Sequence, residues 1–258
     1  MIEVHNLTFG YSSTEDGQIL KGVDFVAKTG KLTALIGTNG AGKSTLLKTI
    51  MGILKGKGDI TINGKSVAEY STKDFSSTVS YLSQDNDCRV NLTVFEVVML
   101  GRMGSMSFRV SDEDIAATQE VLERLNLQRF ASRSIMELSG GQRQLVFMAQ
   151  ALVKEPKILI LDEPTSALDL HKQFDLLTLL KNLTQENDFT TLVTLHHLDL
   201  AAMFADEIIV LKEGRVYAQG APKDIFTEAM MEDVYRVKTK IYMDDKGMPH
   251  VIPLEAIN

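Results

Sequence analysis

Apolar and polar residues alternate at the beginning of the chain. The alternation covers residues 2–9 and resumes over residues 19–25, with a polar, acidic break at residues 12–17 between them. This pattern is typical of strands that bury one face, so it predicts two antiparallel strands joined by a loop. A mainly apolar run at residues 32–36 then predicts a buried strand, and apolar side chains at helical spacing predict a helix over residues 44–54.

The middle of the chain changes from strand to helix patterns. Residues 56–65 predict a hairpin with an Asn-Gly turn, and residues 79–84 predict a further strand. After Gln84 come three helix patterns with no strand between them, at residues 94–99, 111–127 and 140–153. Ser111 is the predicted N-cap of the second helix. We therefore predict an all-helical subdomain over residues 87–154.

Strand and helix patterns alternate in the last part of the chain. Buried strands are predicted at residues 157–162, 190–195 and 207–211, with helices at 168–187 and through Met203 between them. Pro222 marks a further helix start, and two extended runs pair within residues 239–253. The fold class is therefore α/β, with a mostly parallel sheet and an antiparallel N-terminal subdomain. The predicted core is formed by residues 1–86 and 155–258, and the helical subdomain is inserted between them.

Composition restricts the function classes. A length of 258 residues suits one large α/β domain with an insert, and a formal net charge of −7 argues against a nucleic-acid partner. The single cysteine, Cys88, cannot form an intramolecular disulfide, which favours a cytosolic location. The first residues do not resemble a secretory signal, and no apolar run reaches the length of a membrane-spanning helix.

Residues 37–45 fit the phosphate-loop pattern of Gly, four residues, then Gly-Lys-Ser/Thr, and they lie between a predicted strand and a predicted helix. Such a loop turns its backbone N–H groups toward phosphates, so we predict a nucleoside triphosphate site. Lys43 would reach the β- and γ-phosphates and Ser44 would ligate Mg²⁺. The alternative is a glycine turn that only joins strand to helix. The candidate residues are Gly37, Asn39, Gly40, Gly42, Lys43, Ser44 and Thr45.

Two further segments carry candidate chemistry. Asp162 and Glu163 end a predicted buried strand, where one carboxylate could hold Mg²⁺ and the next could polarise a water molecule; the alternative is a simple strand cap. Leu138 is followed by Ser139, Gly140, Gly141 and Gln142 at a helix start, which is either a second anion site or only a helix cap. Tyr11 ends the first predicted strand, and its ring is packed at the rim or stacks on an adenine base.

Taken together, these segments resemble the ATP-binding cassette (ABC) ATPases in order and spacing over essentially the whole chain. The resemblance implies ATP and Mg²⁺ as ligands and gives a role to each further residue. Glu163 resembles the catalytic base, His196 the switch histidine on the γ-phosphate, and Asp169 the D-loop aspartate. Gln84 resembles the Q-loop glutamine, which contacts Mg²⁺ and the attacking water and links the core to a transmembrane partner. Tyr11 resembles the aromatic residue that stacks on adenine.

In this family two cassettes meet head to tail, so the resemblance implies a second copy of the chain as a partner. Residues 139–142 of one copy would then close over the triphosphate bound by residues 37–45 of the other. The family also implies two transmembrane permease subunits and a peripheral position on the cytoplasmic face of the membrane. An extracytoplasmic solute-binding protein would be an indirect partner.

A narrower resemblance is carried by residues 97–102, 195–202 and 245–253, which are similar to the iron-siderophore, haem and vitamin B12 importer ATPases. The chain departs from that pattern at Leu145 and Gln150, where many relatives have arginine, and at His197, where aspartate is usual. We expect an importer ATPase for iron-siderophore complexes. Haem, cobalamin or another metal are alternative solutes, and a soluble ABC ATPase acting on DNA or ribosomes is an alternative from another class.

Overall fold

The computed structural model describes residues 1–12, 17–84, 91–102 and 110–257. Cys88 and parts of the predicted helical block lie outside these ranges. The strands are β1 Ile2–Gly10, β2 Gln18–Ala27, β3 Lys31–Ile36, β4 Lys57–Ile62, β5 Lys65–Ser66, β6 Val79–Leu82, β7 Ile158–Leu161, β8 Thr190–Thr194, β9 Glu207–Lys212, β10 Arg215–Gly220, β11 Val237–Met243 and β12 Pro249–Ala256. The α-helices are α1 Lys43–Ile50, α2 Thr72–Thr78, α3 Val94–Met99, α4 Asp112–Arg124, α5 Gly140–Leu152, α6 Leu170–Glu186, α7 Leu198–Phe204, α8 Pro222–Ile225 and α9 Glu228–Met230.

These elements form two compact units, one of residues 1–69 and 180–258 and the other of residues 70–179. The first unit contains an antiparallel sheet with the order β2-β1-β4-β5. Its first two strands pair from Ile2 with Ala27 onward, which confirms the predicted N-terminal antiparallel subdomain. The predicted helical subdomain, residues 87–154, was bounded by the change between strand and helix patterns, whereas the two units are defined by how compactly their residues pack. Those predicted boundaries stay a prediction.

The first unit also contains the wound strands that position the phosphate loop. β3 lies between β8 and β9 and is parallel to both, with Leu35 opposite Thr194 and Ile209. β10 returns antiparallel to β9. Leu32, Ala34, Leu35 and Ile36 of β3 are fully buried, because strands of a parallel sheet are covered on both faces. The loop at residues 37–42 thus leaves the carboxyl end of a rigid central strand.

Helix α1 is shorter than predicted. It ends at Ile50, and Gly52 adopts a left-handed conformation with φ of +69° two residues later. Glycine reaches this conformation without the steric cost that other residues pay, so it terminates helices at this position. The prediction of a helix to residue 54 was wrong at its C-terminal end.

The second unit combines parallel strands with a group of capped helices. β6 and β7 pair in parallel from Val79 with Ile158 to Leu82 with Leu161. Helices α3, α4 and α5 are preceded by the N-cap residues Thr93, Ser111 and Ser139, each of which forms a capping box. In a capping box the cap hydroxyl accepts from the third backbone N–H, and the third side chain accepts from the cap N–H. The predicted N-cap at Ser111 is therefore confirmed.

An ion pair joins the three capped helices of this unit. The Arg102 guanidinium lies after α3 and contacts the Asp114 carboxylate of α4 at 2.6 Å, and it also donates to the Val153 carbonyl oxygen after α5 at 3.1 Å. Hydrogen bonds from Ser111 and Arg102 lower the pKa of Asp114 to about 2. This carboxylate is thus ionised at neutral pH and holds three helix ends together.

Within the described ranges, none of the helices has both the length and the apolar character needed to span a membrane.

Candidate functional site

Glycines shape the phosphate loop between β3 and α1. Gly37, Gly40 and Gly42 all have positive φ values, of 148°, 79° and 105°. A Cβ atom at Gly37 would lie 2.2 Å from the Leu211 carbonyl oxygen, so no larger residue fits there. At Gly40 a Cβ would meet no atom within 4 Å, and the requirement for glycine is the backbone conformation itself. The loop is therefore closed on one side by β9 and open at Gly40.

Lys43 is the basic residue of this loop, and it is buried at 7% relative exposure. Its ammonium donates to the carbonyl oxygens of Gly37 at 2.8 Å and Thr38 at 3.1 Å. These bonds hold the side chain back along the loop, so that its charge lies inside the curve of the backbone. Because α1 begins after Gly42, which has no side chain, its first backbone N–H groups are not capped by that residue. Ser44 and Thr45 follow in the first turn, half-buried, and Asn39 is exposed at the rim.

These features fit a triphosphate. Uncapped N–H groups at a helix start, the positive end of the helix dipole and an inward lysine all favour phosphate oxygens. The open space at Gly40 leaves the backbone accessible. The geometry thus favours a phosphate cradle over the alternative of a plain connecting turn.

His196 and Tyr11 belong to the same unit as the loop. His196 is exposed and follows β8, whose backbone continues alongside β3 through the bond from Leu195 N–H to the Leu35 carbonyl oxygen. Both His196 and the loop therefore leave the carboxyl ends of neighbouring strands, where α/β sheets bind ligands. Tyr11 is 71% exposed, and its ring packs edge-on against Phe9 with the ring centroids 5.0 Å apart. The contact with Phe9 fits a packing role at the rim, and the exposed ring also leaves a face for stacking on adenine. Both alternatives for Tyr11 therefore stay open.

In the second unit the acidic pair follows β7 as expected. Asp162 is almost fully buried, and its N–H donates to the Leu82 carbonyl oxygen at 2.8 Å, which extends the pairing of β7 with β6. Glu163 adopts a left-handed backbone with φ of +52°, which is unfavourable for a residue with a Cβ atom. The Gln84 amide donates to its Oε2 at 2.9 Å. The structure therefore brings two predicted site residues, Gln84 and Glu163, into direct contact.

The segment at residues 138–142 forms the start of α5. Ser139 Oγ accepts from the Gln142 N–H at 3.3 Å, and Gln142 Oε1 accepts from the Ser139 N–H at 2.9 Å. Both side chains thus take part in a helix cap, which was the alternative to a second anion site at this segment. A Cβ at Gly141 would lie 2.9 Å from the Ala167 carbonyl oxygen, whereas Gly140 is exposed with open space around it. The cap accounts for Ser139 and Gln142, and an anion site at the glycines stays a prediction.

Asp169 caps the next helix. Its carboxylate accepts from the Lys172 N–H and ammonium, each at 3.0 Å, and these bonds lower the pKa of Asp169. Sequence reasoning missed its neighbour Gln173, which is buried in α6 and donates to the carbonyl oxygens of Thr165 at 3.1 Å and Leu168 at 3.0 Å. Gln173 therefore fixes the turn between the acidic pair and α6. A polar residue at a buried helical position is the signal that could have identified it.

No cluster of three or more His, Cys, Asp or Glu side chains suited to a metal occurs in the described part of the chain. This finding is compatible with Mg²⁺, which is commonly held by one or two carboxylates together with substrate phosphates and water. Ser44 in the first unit, and Asp162 and Gln84 in the second, each carry an oxygen atom of the kind that Mg²⁺ accepts. When bound beside a triphosphate, Mg²⁺ neutralises phosphate charge.

The three departures from the importer pattern differ in setting. Leu145 and Gln150 are both partly buried in α5, and His197 is the exposed N-cap of α7 without a side-chain capping bond. Gln150 lines a cavity of about 400 Å³ within the second unit, together with Ser83, Leu100 and Lys154. None of the three replaces a residue of the phosphate loop or the acidic pair.

Comparisons with known proteins agree with this geometry. Residues 20–166 match the family model described as ABC transporter. The chain is 37% identical over 248 residues to the iron(3+)-hydroxamate import ATP-binding protein FhuC of Bacillus subtilis. This match covers 95% of this chain and 91% of that protein. A solved structure described as a metal-chelate type ABC transporter, in an inward-facing conformation, matches with a TM-score of 0.82 and 28% identity over 98% of this chain and 97% of that chain. The dimeric ATP-binding cassette MJ0796, bound to ADP and Pi, matches with a TM-score of 0.78 and 30% identity over 86% of this chain and 98% of that one.

Proposed function

Because the chain belongs to the ABC transporter family of ATP-binding proteins, we propose that it is the ATP-hydrolysing subunit of a membrane importer for iron-siderophore complexes. The observation that carries the proposal is the match to the iron(3+)-hydroxamate import protein over 95% of this chain. The likeness to a metal-chelate type transporter over 98% of the chain supports the same class of solute. A match over almost the full length includes the segments beyond residue 166 that the family model does not cover.

The site residues take the following roles in this proposal. Lys43 and the N–H groups of residues 37–45 bind the triphosphate, and Tyr11 stacks on the adenine. Glu163 orients and deprotonates the attacking water, which Gln84 helps to place, and His196 contacts the γ-phosphate. Ser44, Gln84 and Asp162 hold Mg²⁺. The bond from Gln84 to Glu163 supports this assignment, because it places a base and a water-orienting amide side by side.

A second copy of the chain completes the site. Gly140 is exposed at the start of α5, and a Cβ there would meet no atom within 4 Å, so a phosphate from another chain can approach the backbone. The dimeric form of MJ0796 supports a two-fold arrangement of this kind. In the dimer, residues 139–142 of one copy, together with Asp169 of the same copy, close over the ATP held by the other.

Permease subunits are the second kind of partner. The cavity of about 400 Å³ in the second unit borders Ser83, next to Gln84, and its rim includes Leu100, which is 41% exposed. Its polar wall includes Lys154, whose ammonium donates to the Val79 carbonyl oxygen at 2.8 Å. A cytoplasmic segment of a permease docked here would contact the strand end that leads into Gln84. The chain would thus be held at the cytoplasmic face of the membrane, and an extracytoplasmic binding protein would deliver the solute.

Uptake of radioactive iron tests this proposal. A strain lacking the chain should lose energy-dependent uptake of a ferric hydroxamate, and the wild-type chain but not Lys43→Ala should restore it. Haem and cobalamin uptake in the same strains serve as controls. Unchanged ferric hydroxamate uptake with loss of haem or cobalamin uptake would refute the proposed solute, and unchanged uptake of all three would refute the importer role.

A further inference from the structure

A second cavity in the second unit lies beside the start of α5, and the proposed function leaves it unused. It is bounded by the C-terminal end of α4 and the turn that follows, by α5 and by the first half of α6. The turn includes Asn126, with a left-handed φ of +56°, and a short 3₁₀ helix, Gln128–Phe130. The cavity volume of about 260 Å³ lies slightly below the range of about 300–1,000 Å³ that is usual for ligand pockets. The cavity therefore suits a small ligand.

One part of the cavity wall is apolar. It is formed by Leu125, Leu127, Phe130, Leu145, Leu176 and Leu179. Leu127 and Leu176 are only 1% and 2% exposed, so this wall continues into the core of the unit. Leu145 stands where many relatives have arginine, and the leucine keeps the wall uncharged at that point. An apolar ligand body would be removed from water against this wall, which is favourable.

The rest of the lining carries a net positive charge. Arg124, Arg129 and Lys172 line the cavity. Asp175 is the carboxylate of the lining, and its Oδ2 lies 3.5 Å from His171 Nδ1. Because the chain as a whole has a formal net charge of −7, this positive lining is a local feature. Such a lining favours an anionic ligand over a neutral or cationic one.

Arg129 is the cation of the lining that is suited to bind the anion. Arg124 and Lys172 already form ion pairs, at 2.7 and 3.0 Å, with acidic side chains three or four positions away. In the described part of the chain no ion pair involves Arg129, and its guanidinium lies over the Phe130 ring with Cζ 4.7 Å from the ring centroid. Stacking occupies the face of a guanidinium and leaves its N–H donors available, in a planar fork that matches a carboxylate.

We propose that this cavity binds a small organic anion, whose carboxylate pairs with Arg129 and whose compact apolar body packs against the leucine wall. The site goes beyond the proposed function, because binding requires neither ATP nor a second copy of the chain. Gln142 borders the cavity, and its Oε1 accepts from the Ser139 N–H at 2.9 Å. A bound anion would therefore lie beside the helix start that the proposed dimer uses.

Binding of 2-naphthoate to the full chain, measured by methyl NMR without nucleotide, tests the site. The amide 2-naphthamide keeps the rings without the charge, and acetate keeps the charge without the rings. We expect 2-naphthoate to shift the methyl signals of Leu145 and Leu176, which line the cavity, and to leave those of Leu35 in β3 unchanged. The amide and acetate should each bind at least roughly tenfold more weakly, because one lacks the charged hydrogen bond and the other the buried apolar area.

Arg129→Gln and Arg133→Gln are a matched pair of variants. Both guanidinium groups lie over the Phe130 ring, at 4.7 and 5.4 Å from its centroid, but only Arg129 lines the cavity. Arg129→Gln should raise the dissociation constant for 2-naphthoate roughly tenfold, and Arg133→Gln should leave it at the wild-type value. The proposal would be overturned by unshifted Leu145 and Leu176 signals, by equal binding of 2-naphthoate and either comparison compound, or by wild-type affinity in a folded Arg129→Gln protein.

Discussion

At the scale of single residues, Glu163 combines a strained backbone with a specific partner. Its φ of +52° turns the chain sharply after β7, and the turn is held by Ser166, whose N–H donates to the Glu163 carbonyl oxygen at 3.2 Å. The side chain is then positioned by Gln84 at 2.9 Å. Strained backbone positions cluster at active sites, which agrees with the proposed role of Glu163 in catalysis.

Glu163→Gln tests that role. The amide can still accept from Gln84, so the local structure should persist, but it cannot take a proton from water. We expect ATP binding to be retained and kcat for hydrolysis to fall roughly 10²–10⁴-fold. Light scattering should then show a dimer that forms with ATP and persists, because hydrolysis no longer opens it, whereas ADP should not produce the dimer. Rapid turnover by this variant would show that another group is the base.

Lys43→Ala tests the phosphate loop. Removing an ammonium that pairs with phosphates should weaken ATP binding by roughly tenfold to a hundredfold, the range expected for a charged hydrogen bond. Lys48→Ala, in the last turn of the same helix, is a matched control that should bind ATP normally. Isothermal titration with ATP measures both. Equal affinities in the two variants would mean that Lys43 does not bind the nucleotide.

At the scale of elements, the capped helices of the second unit depend on the Asp114 carboxylate. Asp114 accepts from Arg102 at 2.6 Å and from the Ser111 hydroxyl at 2.7 Å, and it is only 6% exposed. Without the carboxylate, the Arg102 charge and the start of α4 would both lose their partner. Unpaired groups of this kind are costly when they are buried.

Asp114→Asn should therefore destabilise the protein at neutral pH. The pKa of about 2 in the folded protein lies below the value of an unfolded aspartate, near 4, so the carboxylate contributes its full stability above about pH 4. That contribution is lost as the pH falls from about 4 toward 2. The difference in free energy of unfolding between wild type and variant should be constant from pH 7 to pH 5 and shrink below pH 4, as measured with urea. Glu120→Gln, which breaks an exposed pair with Arg124, should change stability little at any pH; a loss as large as that of Asp114→Asn would contradict this account.

Much of the element pattern could be predicted from the sequence because its signals are local. Helix α3 occupies residues 94–99 as expected, since its start is marked by a cap and its buried face by valines. Helix α2 was missed because it is short, largely polar and has no buried residue, so it has no apolar period. The contact of Gln84 with Glu163 could not be found, because no local pattern records which distant residues a fold brings together.

At the scale of the whole molecule, the proposed function requires other chains, namely permease subunits and a second copy of this chain. The permease proposal places a partner segment at the cavity beside Ser83, at the end of the strand that leads to Gln84. Docking there would transmit movement between the partner and the residue that contacts Glu163. The permease proposal thus locates the coupling between transport and hydrolysis at a surface that can be altered without changing the phosphate loop.

Leu100→Glu tests this docking surface. Leu100 is 41% exposed at the cavity rim, so a carboxylate there should not disturb the fold but should oppose an apolar contact with the permease. We expect stimulation of ATPase activity by the co-purified permease to fall roughly tenfold, as for loss of an interface anchor, with the basal rate unchanged. Ile53→Glu, at an exposed apolar residue outside this unit, is the control and should be stimulated normally. Full stimulation of Leu100→Glu would place the permease contact elsewhere.

The most direct test of the account is transport by the assembled proteins. The chain would be reconstituted with its permease in vesicles that present the chain to MgATP, and ferric hydroxamate would be supplied on the opposite face with its binding protein. We predict movement of the iron complex across the membrane that requires ATP and fails with Glu163→Gln. Hydrolysis that is the same with and without the permease, and no ATP-dependent movement of the complex, would contradict the central claim.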